Sequence, residues 1–303
     1  MKACEGRSVS EPATILLVDD DPSILDTFSK MITAMGFACR TAKDGIEALE
    51  EVKREEYDIV LADIRMPRMD GMTLLKEIKS GSREIDVIMM TAFDEEYNSV
   101  AVIEAGATDF IAKPFYQDEL HAKIKRILRE RDLKAELFYL SIHDSLTALY
   151  NRRYLYQKLL EEVERAKRQK RHLALIIVDV DHFKEYNDTH GHLDGDQALV
   201  MIGQILAASI RQNVDTAYRY GGDEFAILLI ETDLVQALRI AERIRRSFES
   251  KKVNGCTLSL GVAQLMAEDE TQDLIRKADE AMYTAKRAGG NRVEEFSPSA
   301  REK

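Results

Sequence analysis

Five times in the first 130 residues a short apolar run gives way to an amphipathic stretch. The runs are residues 15–18, 37–39, 59–62, 87–90 and 110–111, and the stretches cover about 24–35, 44–55, 71–79, 95–104 and 117–130. Gly36, Gly81 and Gly106 each follow a stretch, where glycine commonly ends a helix. Strand-helix alternation predicts an α/β domain with a five-stranded, doubly wound parallel sheet over residues 13–130. The first runs are apolar at consecutive positions, as strands buried on both faces must be.

Residues 117–145 extend the last helix without Gly or Pro. Leu120, Ile124 and Ile127, then Leu133, Leu137 and Leu140, make two apolar sets at 4,3 spacing, out of phase with each other in a highly charged background. Two short seams suit a helical linker that pairs with its copy in a homodimer, and a helix lying on its own domain fits nearly as well. A second fold begins near Asp144 and runs over 144–296. Its expected strands are 173–178, 217–219, 225–230, 256–262 and 292–293, and its helices 152–170, 195–211, 234–250 and 271–287. Gly221 and Gly222 before the run 225–230 predict a hairpin carrying Asp223 and Glu224 at or beside its tip. The expected architecture is α+β, a mixed sheet with helices on one side.

Composition changes this picture little: 303 residues, 45% apolar and 32% charged, describe a helix-rich globular chain. No apolar run is long enough to span a membrane, and the first twelve residues are too polar for an export signal, so a cytoplasmic protein without membrane partners is expected. Residues 1–130 hold 17 basic and 26 acidic side chains, and residues 131–303 hold 26 and 28. Neither half has the basic surplus that nucleic acid requires. Cys4, Cys39 and Cys256 stand apart and form neither a disulfide framework nor a zinc site, and Cys39 and Cys256 are expected in the core.

The candidate chemistry lies at strand ends. The first strand runs into Asp19, Asp20 and Asp21, the third into Asp63, the fourth into Thr91 and the fifth into Lys113-Pro114. Carboxylates gathered at the C-terminal edge of a parallel sheet call for a hard divalent cation, and a hydroxyl and an ammonium facing them suit a phosphoryl group. This constellation resembles the receiver domain of two-component response regulators. The resemblance implies Asp63 as phosphoacceptor and Asp19, Asp20, Asp63 and the Arg65 carbonyl as ligands of Mg²⁺ (or Mn²⁺). It also implies Thr91 and Lys113 as phosphate contacts, a cis bond before Pro114, Phe110 as the aromatic switch, and a cognate histidine kinase as partner.

In the second half the strand at 173–178 runs into Asp179-Val180-Asp181-His182-Phe183-Lys184, and the hairpin reads Arg219-Tyr220-Gly221-Gly222-Asp223-Glu224-Phe225. Two acidic clusters on neighbouring strands can hold divalent metal, Lys184 and Lys286 supply charge for phosphates, and no P-loop motif occurs. Lys184 also reads as a solvated flank, and His182 as an exposed or structural residue. The region resembles the GGDEF diguanylate cyclases, which condense two GTP into cyclic di-GMP. That resemblance implies Asp179, the Val180 carbonyl and Asp223 as ligands of Mg²⁺ (or Mn²⁺), with Glu224 and Lys184 in the catalytic set. Asn187 and Asp196 would read guanine, Lys286 would contact the terminal phosphates, and Asp144 and Arg219 would form a structural pair.

Two departures stand out. Gly290 occupies the place of an arginine that usually contacts phosphate, a loss worth about 10–100-fold in GTP affinity. Gln212 replaces the arginine of the family's Arg-x-x-Asp inhibitory run while Asp215 is kept, so product inhibition is expected to be weak or to use another surface. The expected function is a phosphorylation-regulated diguanylate cyclase. A non-catalytic GTP or cyclic-dinucleotide sensor, and a cyclase of altered base specificity, remain as alternatives.

Overall fold

The computed structural model describes residues 12–81, 83–92, 99–253 and 255–297. Cys4 and residues 95–98 of the expected fourth helix lie outside them, as does most of the amino-terminal stretch read for an export signal. The chain divides between Glu136 and Leu137 into two compact units.

In the first unit β1 (Thr14–Val18), β2 (Ala38–Ala42), β3 (Ile59–Asp63), β4 (Asp86–Ala92) and β5 (Asp109–Lys113) form one parallel sheet in the order β2-β1-β3-β4-β5. The helices between them are α1 (Pro22–Ala34), α2 (Gly45–Arg54), α3 (Gly71–Ser80) and α4 (Ser99–Glu104), followed by α5 (Gln117–Ile142). Side chains on successive strand positions point to opposite faces. Leu16, Val18, Val60 and Ala62 meet α2 and α3, while Ile15, Leu17, Ile59 and Leu61 meet α1 and α5. Carboxylates cap the helices that leave the site edge: Asp21, Asp44 and Asp70 accept from first-turn N–H groups of α1, α2 and α3. The strand order reverses at β1 and β3, which brings the ends of these two strands side by side.

The two seams of α5 separate here. Leu120, Ile124 and Ile127 are buried in the core of their own domain and are not free to pair with a copy. Leu133, Leu137 and Leu140 are exposed, together with Phe138 and Tyr139.

The second unit has a six-stranded mixed sheet, ordered β11-β10-β7-β9-β8-β6. The elements are β6 (Tyr150–Asn151), α6 (Arg152–Gln169), β7 (Leu173–Asp181), α7 (Phe183–His190), α8 (His192–Ala208), β8 (Thr216–Gly221), β9 (Glu224–Ile230), α9 (Leu234–Glu249), β10 (Thr257–Gln264), α10 (Thr271–Arg287) and β11 (Arg292–Glu295). The β8–β9 hairpin closes through Gly222 and Asp223. Helices cover both faces of this sheet, not one. Ala174, Ile176 and Val178 of β7 pack with α8 and α9, while Leu173, Leu175 and Ile177 pack with α6 and α10. The central strand is buried at all nine positions, and an uninterrupted apolar run is what such a strand requires. Cys256 is buried and Cys39 half-buried, and burial pushes both thiols up to about 11.

Candidate functional sites

At the first site Lys113, at the end of β5, reaches across the sheet edge. Its Nζ lies 2.6 Å from Asp19 Oδ2 and 2.6 Å from Asp63 Oδ1. Burial opposes charge on Lys113, but these two bonds outweigh it and raise its pKa. Burial raises the pKa of Asp63, against the lowering effect of Lys113. Asp63 Oδ2 accepts from the Arg65 N–H at 3.0 Å, and Asp19 Oδ1 from the Asp21 N–H at 3.0 Å, which fixes both carboxylates. Asp20 is exposed beside them. Thr91 is buried at the C-terminal end of β4, and the Lys113-Pro114 bond is cis. Phe110 is half-buried, with Lys123 Nζ 5.6 Å from its ring centroid.

At the second site the sheet register sets Asp179 of β7 opposite Glu224 of β9, and Asp223 occupies the hairpin turn before it. Lys286, in the last turn of α10, places Nζ 2.5 Å from Asp179 Oδ1. Burial drives the Asp179 carboxyl up to about 6, and the charges of Asp223 and Glu224 add to the rise despite Lys286. Burial and Asp223 raise Glu224 as well. Arg219 secures the turn: its Nη1 meets Asp144 Oδ1 at 3.1 Å while Nε and Nη2 donate to the Gly222 carbonyl at 3.0 and 2.8 Å. The pair expected between Asp144 and Arg219 is therefore formed.

The remaining expected residues are less closely drawn together. Asn187 lies half-buried in α7, its Oδ1 enclosed without a hydrogen-bond partner. It rests on Gly195, where a Cβ would stand 1.9 Å from that oxygen, so only glycine admits it. The next residue, Asp196, is exposed at a cavity of about 670 Å³ lined also by Leu146, Leu193, Met201 and Ile205. Lys184 is exposed and has no hydrogen bond or ion pair among the described residues. Gln212 is exposed, whereas Asp215 is buried. The Asp215 carboxylate accepts from Arg211 Nε at 2.8 Å, Arg211 Nη2 at 2.7 Å and the Ile230 N–H at 3.1 Å.

Oxygen donors crowded at both sites are the chemistry a hard divalent cation relieves. Among the described residues, no three acidic, histidine or cysteine side chains stand close enough to grip an ion as they are. The ammonium groups of Lys113 and Lys286 offset part of the negative charge instead. Sequence reasoning gave no role to Asp181, which accepts three hydrogen bonds two residues beyond Asp179. Its donors lie on β10 and after α10, so no local motif shows them.

Known proteins bear on both units. Residues 15–125 match the response regulator receiver domain, and residues 141–292 match the GGDEF domain of diguanylate cyclases. An N-terminal receiver domain joined to a C-terminal GGDEF domain is an arrangement found in two-component response regulators. The chain belongs to the GGDEF diguanylate cyclase family. It is 36% identical over 288 residues to the diguanylate cyclase VdcA of Vibrio cholerae, covering 92% of this chain and 73% of that one. It is 34% identical over 254 residues to the response regulator PleD of Caulobacter vibrioides, covering 78% of this chain and only 56% of that one. A crystal structure of the coiled coil and GGDEF domain of DgcB from Caulobacter crescentus, in complex with c-di-GMP, superposes with a TM-score of 0.56. It is 26% identical and covers 59% of this chain and 98% of that one. Among the described residues no helix is long and apolar enough to cross a membrane.

Proposed function

We propose that this protein is a phosphorylation-regulated diguanylate cyclase, acting in the cytoplasm as a homodimer and served by a cognate histidine kinase. The observation that carries the reading is the second site: Asp179 opposite Glu224, Asp223 in the adjoining turn, and Lys286 2.5 Å from Asp179. GGDEF-family membership supports a diguanylate-cyclase type of activity. Asp179, the Val180 carbonyl and Asp223 would hold Mg²⁺ or Mn²⁺. When bound, the metal lowers the pKa of a substrate hydroxyl and neutralises charge developing on phosphate.

The chain's own residues divide the remaining work. Lys286 contacts the terminal phosphates of GTP, and Glu224 supports the acidic set. Asn187 and Asp196 select guanine, because a carboxylate accepts from its N1–H and exocyclic amine whereas adenine presents neither in that arrangement. The 3′-hydroxyl of one GTP attacks the α-phosphorus of the GTP held by the facing domain. A P–O bond forms, the bond to pyrophosphate breaks, and the hydroxyl proton leaves to solvent. A second, equivalent attack closes the ring and releases a second pyrophosphate. Each domain supplies one substrate, so two must meet, and dimer geometry can set the rate.

In the receiver domain Asp63 takes the phosphoryl group from the kinase, and Lys113 and Thr91 contact it. Bound Mg²⁺ at Asp19, Asp20, Asp63 and the Arg65 carbonyl would offset its charge. Thr91 and Phe110 transmit the change. The exposed seam at Leu133, Leu137 and Leu140 supports pairing through α5. Incubation with Mg²⁺ and GTP or ATP, with products separated by chromatography, tests the reading. Cyclic di-GMP and pyrophosphate from GTP alone are expected. Bound but unconverted GTP would favour the sensor, and equal turnover of ATP would overturn the guanine assignment.

A further inference from the structure

Asp181 ends β7 and is 6% exposed. Its carboxylate accepts from Thr257 Oγ1 at 2.6 Å, Ser259 Oγ at 2.6 Å and the Asn291 backbone N–H at 2.9 Å. A carboxylate offers about four acceptor positions, so three are taken. Two donors belong to the neighbouring strand, and the third belongs to the turn between α10 and β11.

That turn closes the helix bearing Lys286. The Gly289 N–H donates to the Lys286 carbonyl and the Gly290 N–H to the Ala285 carbonyl, each at 3.1 Å. Gly290 has φ +70° and lies against Asp181, so close that a Cβ would stand 2.9 Å from its Cγ. Asn291 is gripped from a second side: Arg245 Nη1 donates to its Oδ1 at 2.7 Å, and its Nδ2 donates to Glu249 Oε1 at 2.7 Å. The turn thus has one anchor on β7 and another on α9.

We propose that Asp181 is a positioning residue for Lys286: by holding the Asn291 N–H it fixes the C-terminal end of α10, and with it the ammonium, beside Asp179. The inference rests on the cyclase reading, in which Lys286 contacts the terminal phosphates of GTP.

A double-mutant cycle on the full-length protein tests the proposal. Calorimetry with Mg²⁺ and a GTP analogue bearing a methylene α–β bridge would compare wild type, Lys286→Met, Asp181→Ala and the double variant. Each single substitution is expected to raise Kd about tenfold, and the double no further than Lys286→Met, because contacts acting through one another do not add. Ser259→Ala removes one of the bonds to Asp181 and should raise Kd about two- to threefold, an effect that disappears when Lys286 is also Met. If Asp181→Ala does not fold, Ser259→Ala with Lys286→Met completes the same cycle. Wild-type affinity in Asp181→Ala, or effects that multiply to about a hundredfold in the double variant, would overturn the positioning role. A wild type that does not bind the analogue, or a Lys286→Met variant that binds it normally, sinks the cyclase reading and this inference with it. Weakened binding in Lys286→Met beside unchanged binding in Asp181→Ala sinks the inference alone.

Discussion

Both acidic sites set a lysine on a strand-end aspartate, but they balance charge differently. Lys113 arises from a strand of the same sheet and divides its ammonium between Asp19 and Asp63. Lys286 arises from a helix end and meets Asp179, while Asp223 and Glu224 have no ion pair among the described residues. The Lys113 side chain is 20% exposed and that of Lys286 37%. The first site joins two fixed carboxylates through a shielded cation, an arrangement suited to receiving a phosphoryl group on one of them. At the second, burial first and then the charges of Asp223 and Glu224 push Asp179 up to about 6, an arrangement suited to recruiting ions along with their nucleotide.

The largest expected effect separates the two. If Asp179 holds the metal as proposed, Asp179→Asn should lower cyclic di-GMP formation by at least about 100-fold and leave phosphorylation of Asp63 intact. Asp63→Asn should do the reverse: basal turnover persists, while beryllofluoride raises neither turnover nor dimer mass. Product chromatography and labelling by a small phosphodonor measure the two halves. One substitution abolishing both would break the division of labour.

The seams of α5 give a second contrast. Ile124→Ala empties a core position and should cost about 2–5 kcal/mol, read from denaturant unfolding of the receiver transition. Leu137→Ala alters an exposed position and should change stability by less than about 0.5 kcal/mol while lowering dimer mass in sedimentation. Unchanged association in Leu137→Ala and Leu140→Ala would remove the seam from the mechanism.

What the sequence disclosed follows the same division. Receiver strands could be read from consecutive apolar residues, and Asp19, Asp63 and Lys113 stand at strand ends that a parallel sheet must gather. The Gly222-Asp223 turn was equally local. The two seams of α5 have the same spacing, so only the tertiary partner of Leu120, Ile124 and Ile127 separates core from surface. The second layer of helices was encoded in the unbroken burial of β7, but the hairpin drew attention to one face. Asp181 escaped because its partners are 76, 78 and 110 residues away, and Asp215 because its partner was the arginine beside the expected one.

Asp215 yields the next prediction in size. Its carboxylate is engaged by Arg211 and the Ile230 N–H, which leaves little acceptor capacity for a ligand. Asp215→Ala should cost about 1–3 kcal/mol of stability, since it removes a buried carboxylate that accepts from the Ile230 N–H and from Arg211. Calorimetry with cyclic di-GMP, with the active site filled by the GTP analogue, should give the same result for this variant and the wild type. Submicromolar binding in the wild type that disappears in Asp215→Ala would restore an inhibitory role.

The smallest effect tests how far the rigidity behind Lys286 extends. Glu242 accepts from Arg245 at 2.9 Å and from Arg246 Nε at 2.6 Å, and these bonds, Arg245 first, hold its carboxyl down from 4.5 to about 2. Arg245 is the same side chain that anchors Asn291. A depressed pKa means that the folded protein resists protonation at this site more than the unfolded chain does. Its contribution is therefore present above pH 4.5 and is lost as the pH falls toward about 2. With the Glu242 side chain 34% exposed, solvent screening limits the effect to less than about 1 kcal/mol. Glu242→Gln should flatten the dependence of Tm on pH between 4.5 and 2, lying slightly below wild type at neutral pH and converging with it in acid. Parallel curves for the two proteins across that window would show that the Arg245 network adds no stability through Glu242.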